Sequence, residues 1–158
     1  MIKVLYICLG NICRSPLAEA IMRQLVEEEG LSDKFEIDSC GTAAYHIGET
    51  PDERTLANAR KNGIEINHRG RQFSTLDFEQ FDYLLTMDDA NFRKVKALQN
   101  GKGDYKLGKL RDFDEEGIGQ DVPDPYYGGP EGFQHVFDLL MRSNKALLQS
   151  LKEAHQLV

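Results

Sequence analysis

The stretch that most constrains the fold is KVLYICLGNICRSPLAEA, residues 3–20. IKVLYI, residues 2–7, is a nearly unbroken apolar run rich in strand formers, the pattern of a strand covered on both faces. A short polar loop follows. Leu17, Ala18, Ile21, Met22, Leu25 and Val26 then recur at helical spacing until Gly30 ends the run. Ser15 reads as the cap of that helix and Pro16 as its first residue.

A strand feeding straight into a helix commits the chain to a crossover, and the rest of the sequence repeats the alternation. KFEIDS (34–39), FDYLLTM (81–87) and, more weakly, YKLGKL (105–110) read as further strands. TPDE (50–53) reads as a capping box with proline in the first turn, opening a helix that stops near Gly63. A polar helix is expected over 88–99. From Pro130 onward, Phe133, Val136, Phe137, Leu140, Met141, Leu147, Leu148 and Leu151 trace one long amphipathic helix. The expected fold is α/β: a single domain over 1–158, three-layered, with a central four-stranded parallel sheet and helices on both faces. Ligands in such folds sit beyond the carboxyl ends of the strands. The loop between strand 1 and helix 1 lies at such an end.

Charge narrows the chemistry. The chain carries 26 acidic and 19 basic residues, a net charge of -7. Nucleic acid is not expected as a partner, because that binding draws on a basic footprint. An anionic substrate would have to be attracted locally, against the global field. No apolar run approaches the roughly 20 residues of a membrane span, and MIKVLYI lacks the features of a signal peptide. The expected address is cytoplasmic, with no membrane partner. Cys8, Cys13 and Cys40 are too few and too unevenly spaced for a disulfide framework, and no Cys/His grouping has metal-ligand spacing. Neither a metal nor a cofactor is implied.

The loop itself carries chemistry. A loop entering a helix N-terminus leaves backbone N–H groups unpaired at the positive end of the macrodipole, a nest for a tetrahedral oxyanion. Gly10 is expected to supply backbone freedom there, and the planar fork of Arg14 suits two oxygens of one phosphoryl group. Helix N-termini and nearby cations favour thiolate over thiol. Cys8 is therefore expected to attack bound phosphorus and form a cysteinyl-phosphate without a metal. No Gly-Lys-Ser/Thr follows, so this is not a nucleotide-binding P-loop.

These residues resemble the low-molecular-weight protein tyrosine phosphatase family, whose signature C-x-G-N-x-C-R-S-P is met without a gap at residues 8–16. DPYYG, residues 124–128, resembles the family's general-acid loop, and DSCGT, YHIGETPD, NHRGRQ and FDYLLTMD extend the likeness over essentially the whole chain. The resemblance implies Cys8 as nucleophile, Arg14 as phosphate clamp and Asp124 as acid and then base, with Asp121 as the alternative acid. It implies a substrate pocket formed by Leu9, Gly10, Asn11, Ile12, Cys13, Ser15, Tyr45 and Tyr126. Ser39 and His68 would support Asn11, and Ser15 would donate to the thiolate. It further implies phosphotyrosine proteins as substrates, a cognate tyrosine kinase as a partner in some members, phosphorylation of Tyr126 and Tyr127, and trapping of an oxidised Cys8 by Cys13.

Cys40 is expected to be structural. His46, His135 and His155 are expected on solvent-facing positions, 27–29 as a solvated helix end, and GKGDYKLGK as a surface loop. An arsenate reductase with a similar loop would need later redox cysteines, and none follows Cys40. A silent phosphotyrosine-binding module would not need Cys8, Arg14 and Asp124 together.

Overall fold

Burial on two faces at once decides the architecture. The computed structural model describes residues 1–126 and 128–157. Its central strand, β1 (Ile2–Cys8), sends Ile2, Val4, Tyr6 and Cys8 into one core and Leu5 and Ile7 into another, as the two-residue period of a strand requires. Leu5, Ile7, Val4 and Tyr6 are fully buried. Each large apolar side chain so covered contributes about 1.5–3 kcal/mol. That is why this strand reads as apolar without alternation.

β1 pairs in parallel with β2 (Phe35–Gly41) on one side and β3 (Tyr83–Thr86) on the other. β4 (Lys106–Lys109) lies beyond β3, giving the order β2-β1-β3-β4 among the described residues. On one face pack α1 (Arg14–Glu28), α5 (Pro130–Ala154) and part of α2 (Glu53–Lys61), through Leu17, Ile21, Met22, Ala59, Phe137, Leu140 and Leu147. Phe78 of the short α3 (Asp77–Gln80) and Val95 of α4 (Asp89–Ala97) cover the other face with Phe73, Phe81 and Leu84. Cys40 lies in this second core, fully buried, as expected of a structural thiol. The expected α/β sandwich of four parallel strands is present.

Boundaries differ from expectation in instructive ways. α1 begins at Arg14, not after a Ser15 cap: Cys13 is its N-cap position, and Ser15 sits inside the first turn. The hydroxyl that would have capped the helix is turned to the Cys8 thiol instead. α2 begins at Glu53, capped by Asp52, whose carboxylate accepts the Arg54 N–H at 2.8 Å. The expected capping box at Thr50 is thus displaced by two residues, and Pro51 precedes the helix. The 88–99 helix is capped by Asp88 and ends at Ala97. α3 and the 3-10 turns Ser32–Lys34 and Leu110–Phe113 are too short to leave a periodic signal.

One buried carboxylate ties the far end of the sheet to α5. Asp114 is fully buried and accepts from Arg142 Nε at 2.8 Å, Arg142 Nη2 at 2.9 Å and Arg111 Nε at 3.0 Å. The Arg142 hydrogen bonds, more than offsetting the cost of burial, hold its carboxyl down from 3.8 to about 2. A carboxyl depressed in the folded state contributes stability that is full above its unfolded value and lost as pH falls towards the folded one. Asp114 therefore supplies about 2 kcal/mol above pH 4 that disappears between pH 4 and 2. Urea unfolding at stepped pH should show that loss in the wild type, and the difference from Asp114→Asn should narrow across the same window.

Candidate active site

The site lies where the strand order turns. From β1 the chain crosses to β2 on one side and later returns to β3 on the other, so the loops after β1 and β3 diverge and open a crevice. Cys8 ends β1, Met87 N–H donates to Ile7 O at 3.0 Å, and Asp88 follows at once. Thr42 N–H and Ala43 N–H donate to the carbonyls of Cys8 and Leu9, fastening the loop to the end of β2.

The Cys8 sulfur is set among donors. Sγ lies 2.9 Å from Ser15 Oγ and accepts the Asn11 N–H at 3.2 Å. The hydroxyl has a weaker second acceptor in Cys40 O, at 3.3 Å. The loop turns so sharply because Asn11, not Gly10, adopts the left-handed conformation, with φ of 58°. Asparagine tolerates that region better than other side-chain-bearing residues. Gly10 is small for a different reason: a Cβ there would lie 3.1 Å from His46 Cδ2.

Behind the loop, the Asn11 amide is fully engaged. Nδ2 donates to Ser15 Oγ at 2.8 Å and Ser39 Oγ at 3.1 Å. Oδ1 receives the Arg71 N–H at 3.0 Å and faces His68 Nε2 at 2.7 Å. His68 Nδ1 in turn lies 3.1 Å from Glu19, which also accepts from Ser39 Oγ at 2.7 Å and Arg23 Nε at 2.9 Å. Burial would raise the Glu19 carboxyl, but the His68 and Ser39 contacts outweigh it and hold it below its ordinary value. Glu19, Asp38 and His68 each bring a ligand atom within 4.8 Å of the others. These groups already have protein partners, Asp38 through Arg71 Nε at 2.9 Å.

Arg14 stands at the other side of Cys8, almost wholly buried. Its Nη1 donates to Asp88 Oδ2 at 2.7 Å and Val122 O at 2.9 Å, while Nη2 lies 3.6 Å from Asp124 Oδ2. Burial opposes its charge, yet Cys8, Asp88 and Asp124 hold it protonated above the ordinary guanidinium value. Asp88 is fixed in turn by capping α4 through the Asn91 N–H at 2.7 Å.

Cys8, Leu9, Gly10, Ile12, Cys13, Arg14, Tyr45, Asp124 and Tyr126 line one cavity of about 180 Å³. Asp124 is half-exposed at its edge and accepts the Tyr126 N–H. Asp121 instead pairs with Lys109 Nζ at 2.7 Å. Against the cost of burial, Lys109 holds the Asp121 carboxyl below its ordinary value, and Asp121 is not among the residues that line the cavity. Burial pushes the Cys13 thiol up to about 12. Of the residues expected in the substrate pocket, Asn11 and Ser15 are buried beneath the loop and act through it, with Ser39 and His68. Tyr127 lies outside the described residues.

Four groups at the site were not anticipated. His46, expected on a solvent-facing position, lines the cavity under Gly10 and bonds Glu49 through Nδ1. Asp88 was legible only as a helix start, and Glu19 only as part of a helix. Arg54 places its guanidinium 5.3 Å from the Tyr126 ring centre and 4.8 Å from that of Phe133, steadying the tyrosine wall.

The model of the low molecular weight phosphotyrosine protein phosphatase family matches residues 3–157. A phosphatase of that name from Schizosaccharomyces pombe is 44% identical over 151 residues, covering 95% of this chain and 97% of the relative. A protein tyrosine phosphatase from Entamoeba histolytica, solved with Hepes in its active site, superposes with a TM-score of 0.93 at 36% identity, covering 98% of this chain and 99% of that one. A Drosophila arginine phosphatase superposes with a TM-score of 0.87 at 33% identity, covering 96% and 98%.

The left-handed Asn11 makes a sharp expectation. Asn11→Ala and Asn11→Gly both lose the amide network, but alanine adds a left-handed strain of roughly 1–2 kcal/mol that glycine avoids. Glycine's looser unfolded state returns part of that difference. Asn11→Gly should unfold at higher urea than Asn11→Ala, with both below the wild type. The reverse order would place the strain elsewhere.

Proposed function

Because the chain belongs to the low molecular weight phosphotyrosine protein phosphatase family, we propose that its hydrolysis of phosphotyrosine runs in two steps at the Cys8 loop. The protein is a metal-independent protein tyrosine phosphatase with phosphoprotein substrates. In the first step the Cys8 thiolate attacks phosphorus and the bond to the phenolic oxygen breaks. Asp124 gives its proton to that oxygen, while the loop N–H groups and Arg14 hold the equatorial oxygens. In the second, water attacks the phosphocysteine, Asp124 takes a proton from it, and Cys8 leaves as thiolate with Ser15 donating to the sulfur. Tyrosine and inorganic phosphate are the products. One observation carries the reading: the Cys8 sulfur at a cavity floor, with the Ser15 hydroxyl at 2.9 Å and Arg14 and Asp124 beside it.

The walls favour an aryl ester. Leu9, Ile12, Tyr45 and Tyr126 offer apolar and aromatic surface to a phenyl ring. A phosphoarginine guanidinium would lose water against the same walls, with the Asp124 carboxylate at the edge as its acceptor among the described lining residues. The whole chain, 1–158, serves as one catalytic domain. No helix of the described residues is long and apolar enough to cross a membrane, which supports a cytoplasmic site of action. A tyrosine kinase acting on the same proteins is its natural counterpart.

Hydrolysis of matched phosphotyrosine and phosphoarginine peptides in EDTA tests this. Wild type should turn over the tyrosine ester at least about tenfold better. Cys8→Ser should be inactive, and Asp124→Ala slowed by about 10²–10⁴. An active Cys8→Ser would overturn the nucleophile, and a preference for phosphoarginine would overturn the substrate. Cys13 lines the same cavity as Cys8, which supports protective trapping, in which a Cys8 sulfenic acid condenses with the Cys13 thiol to a disulfide and water, while the burial that raises this thiol's pKa works against the step. Dithiothreitol should restore peroxide-treated wild type but little of Cys13→Ser, and equal recovery would refute trapping.

A further inference from the structure

A second cleft of about 480 Å³ shares Leu9 and Tyr45 with the catalytic cavity, on the side away from Asp124 and Tyr126 in its lining. Thr42, Gln72, Asn91 and Lys94 complete its rim. Leu9 and Tyr45 are exposed, so a chain whose phosphotyrosine enters the cavity passes over this shared wall.

Its cation is not held by a carboxylate. Cations around the catalytic loop are engaged, as Arg14 is by Asp88, Arg54 by Asp52 and Arg71 by Asp38 and Asp77. Lys94 is exposed and has neither an ion pair nor a hydrogen bond among the described residues. The acidic residues that begin its own helix are taken: Asp88 by Arg14, Asp89 by Lys109. An unpaired positive charge, with Arg93 and Lys96 on the same helix, therefore stands beside the active site of a chain whose net charge is -7.

We propose that this cleft is a second substrate subsite, which takes an acidic side chain flanking the phosphotyrosine and pairs its carboxylate with Lys94. The proposal rests on the phosphatase reading above. It gives the enzyme a local means of selecting acidic phosphopeptides that its overall field would repel.

Two phosphotyrosine peptides that differ only in glutamate or glutamine at the flanking positions supply the test, with phenyl phosphate as a separate substrate. Their kcat/KM ratio within one preparation does not depend on how much of the enzyme is folded. Wild type should favour the glutamate peptide by about three- to fivefold, the yield of one exposed ion pair. Lys94→Met should bring the ratio close to one, and Lys94→Glu should invert it. Lys61→Met, which alters the rim of a different cleft beside Pro130 and Phe133, should leave it unchanged. A wild-type ratio near one, an unchanged ratio in Lys94→Met, or an equal fall in Lys61→Met would overturn the subsite. Failure of wild type to hydrolyse phenyl phosphate would instead sink the phosphatase reading.

Discussion

A single side-chain amide holds the site open. Five residues, 9–13, join the end of β1 to α1, and their N–H groups must point inward at an anion rather than at each other. Asn11 makes this affordable by turning left-handed and then binding to Ser15, Ser39, His68 and the Arg71 main chain at once. Those four partners belong to α1, β2 and the segment before α3. The loop is therefore braced against three parts of the fold before any substrate arrives, which is the preorganisation that lets fixed dipoles stabilise a developing charge without rearranging.

The electrostatics are correspondingly local. Arg14 is a buried cation facing two carboxylates and a thiol, in a protein with an acidic surplus. Asp88 is the structural partner, short and shared with the cap of α4. Asp124 is the looser one, more exposed and nearly 1 Å farther from the guanidinium. That inequality fits the proposed division of labour, in which Asp88 orients the fork and Asp124 exchanges protons at the cavity's edge.

How far the sequence revealed this depended on the span of each interaction. The strand, Cys8 and Arg14 were legible because strand burial, loop and helix start are neighbours in the chain. Asp88 was not, since its partner is 74 positions away and nothing local distinguishes an orienting carboxylate from a helix cap. Glycine and asparagine both tolerate a left-handed backbone, so Gly10 and Asn11 could not be told apart until His46 was seen against the glycine. Ser15 had two uses for one hydroxyl, and only the position of the sulfur chose between them. The general shape of the α/β sandwich survived all these local ambiguities, because it follows from hydrophobic period rather than from any one residue.

The packing of α5 against the sheet has a bearing on when the molecule becomes competent during synthesis. Tyr6 at the heart of β1 donates to Asn144, which itself donates to the Ala18 carbonyl, and Phe137, Leu140, Leu147 and Leu151 close the same core. The strand that ends on Cys8 is translated well before the helix that covers it. A nascent chain that has not yet reached α5 holds every residue of the thiol loop while lacking the layer that steadies it. Competence is thus withheld until α5 has been made, by the order of the elements alone.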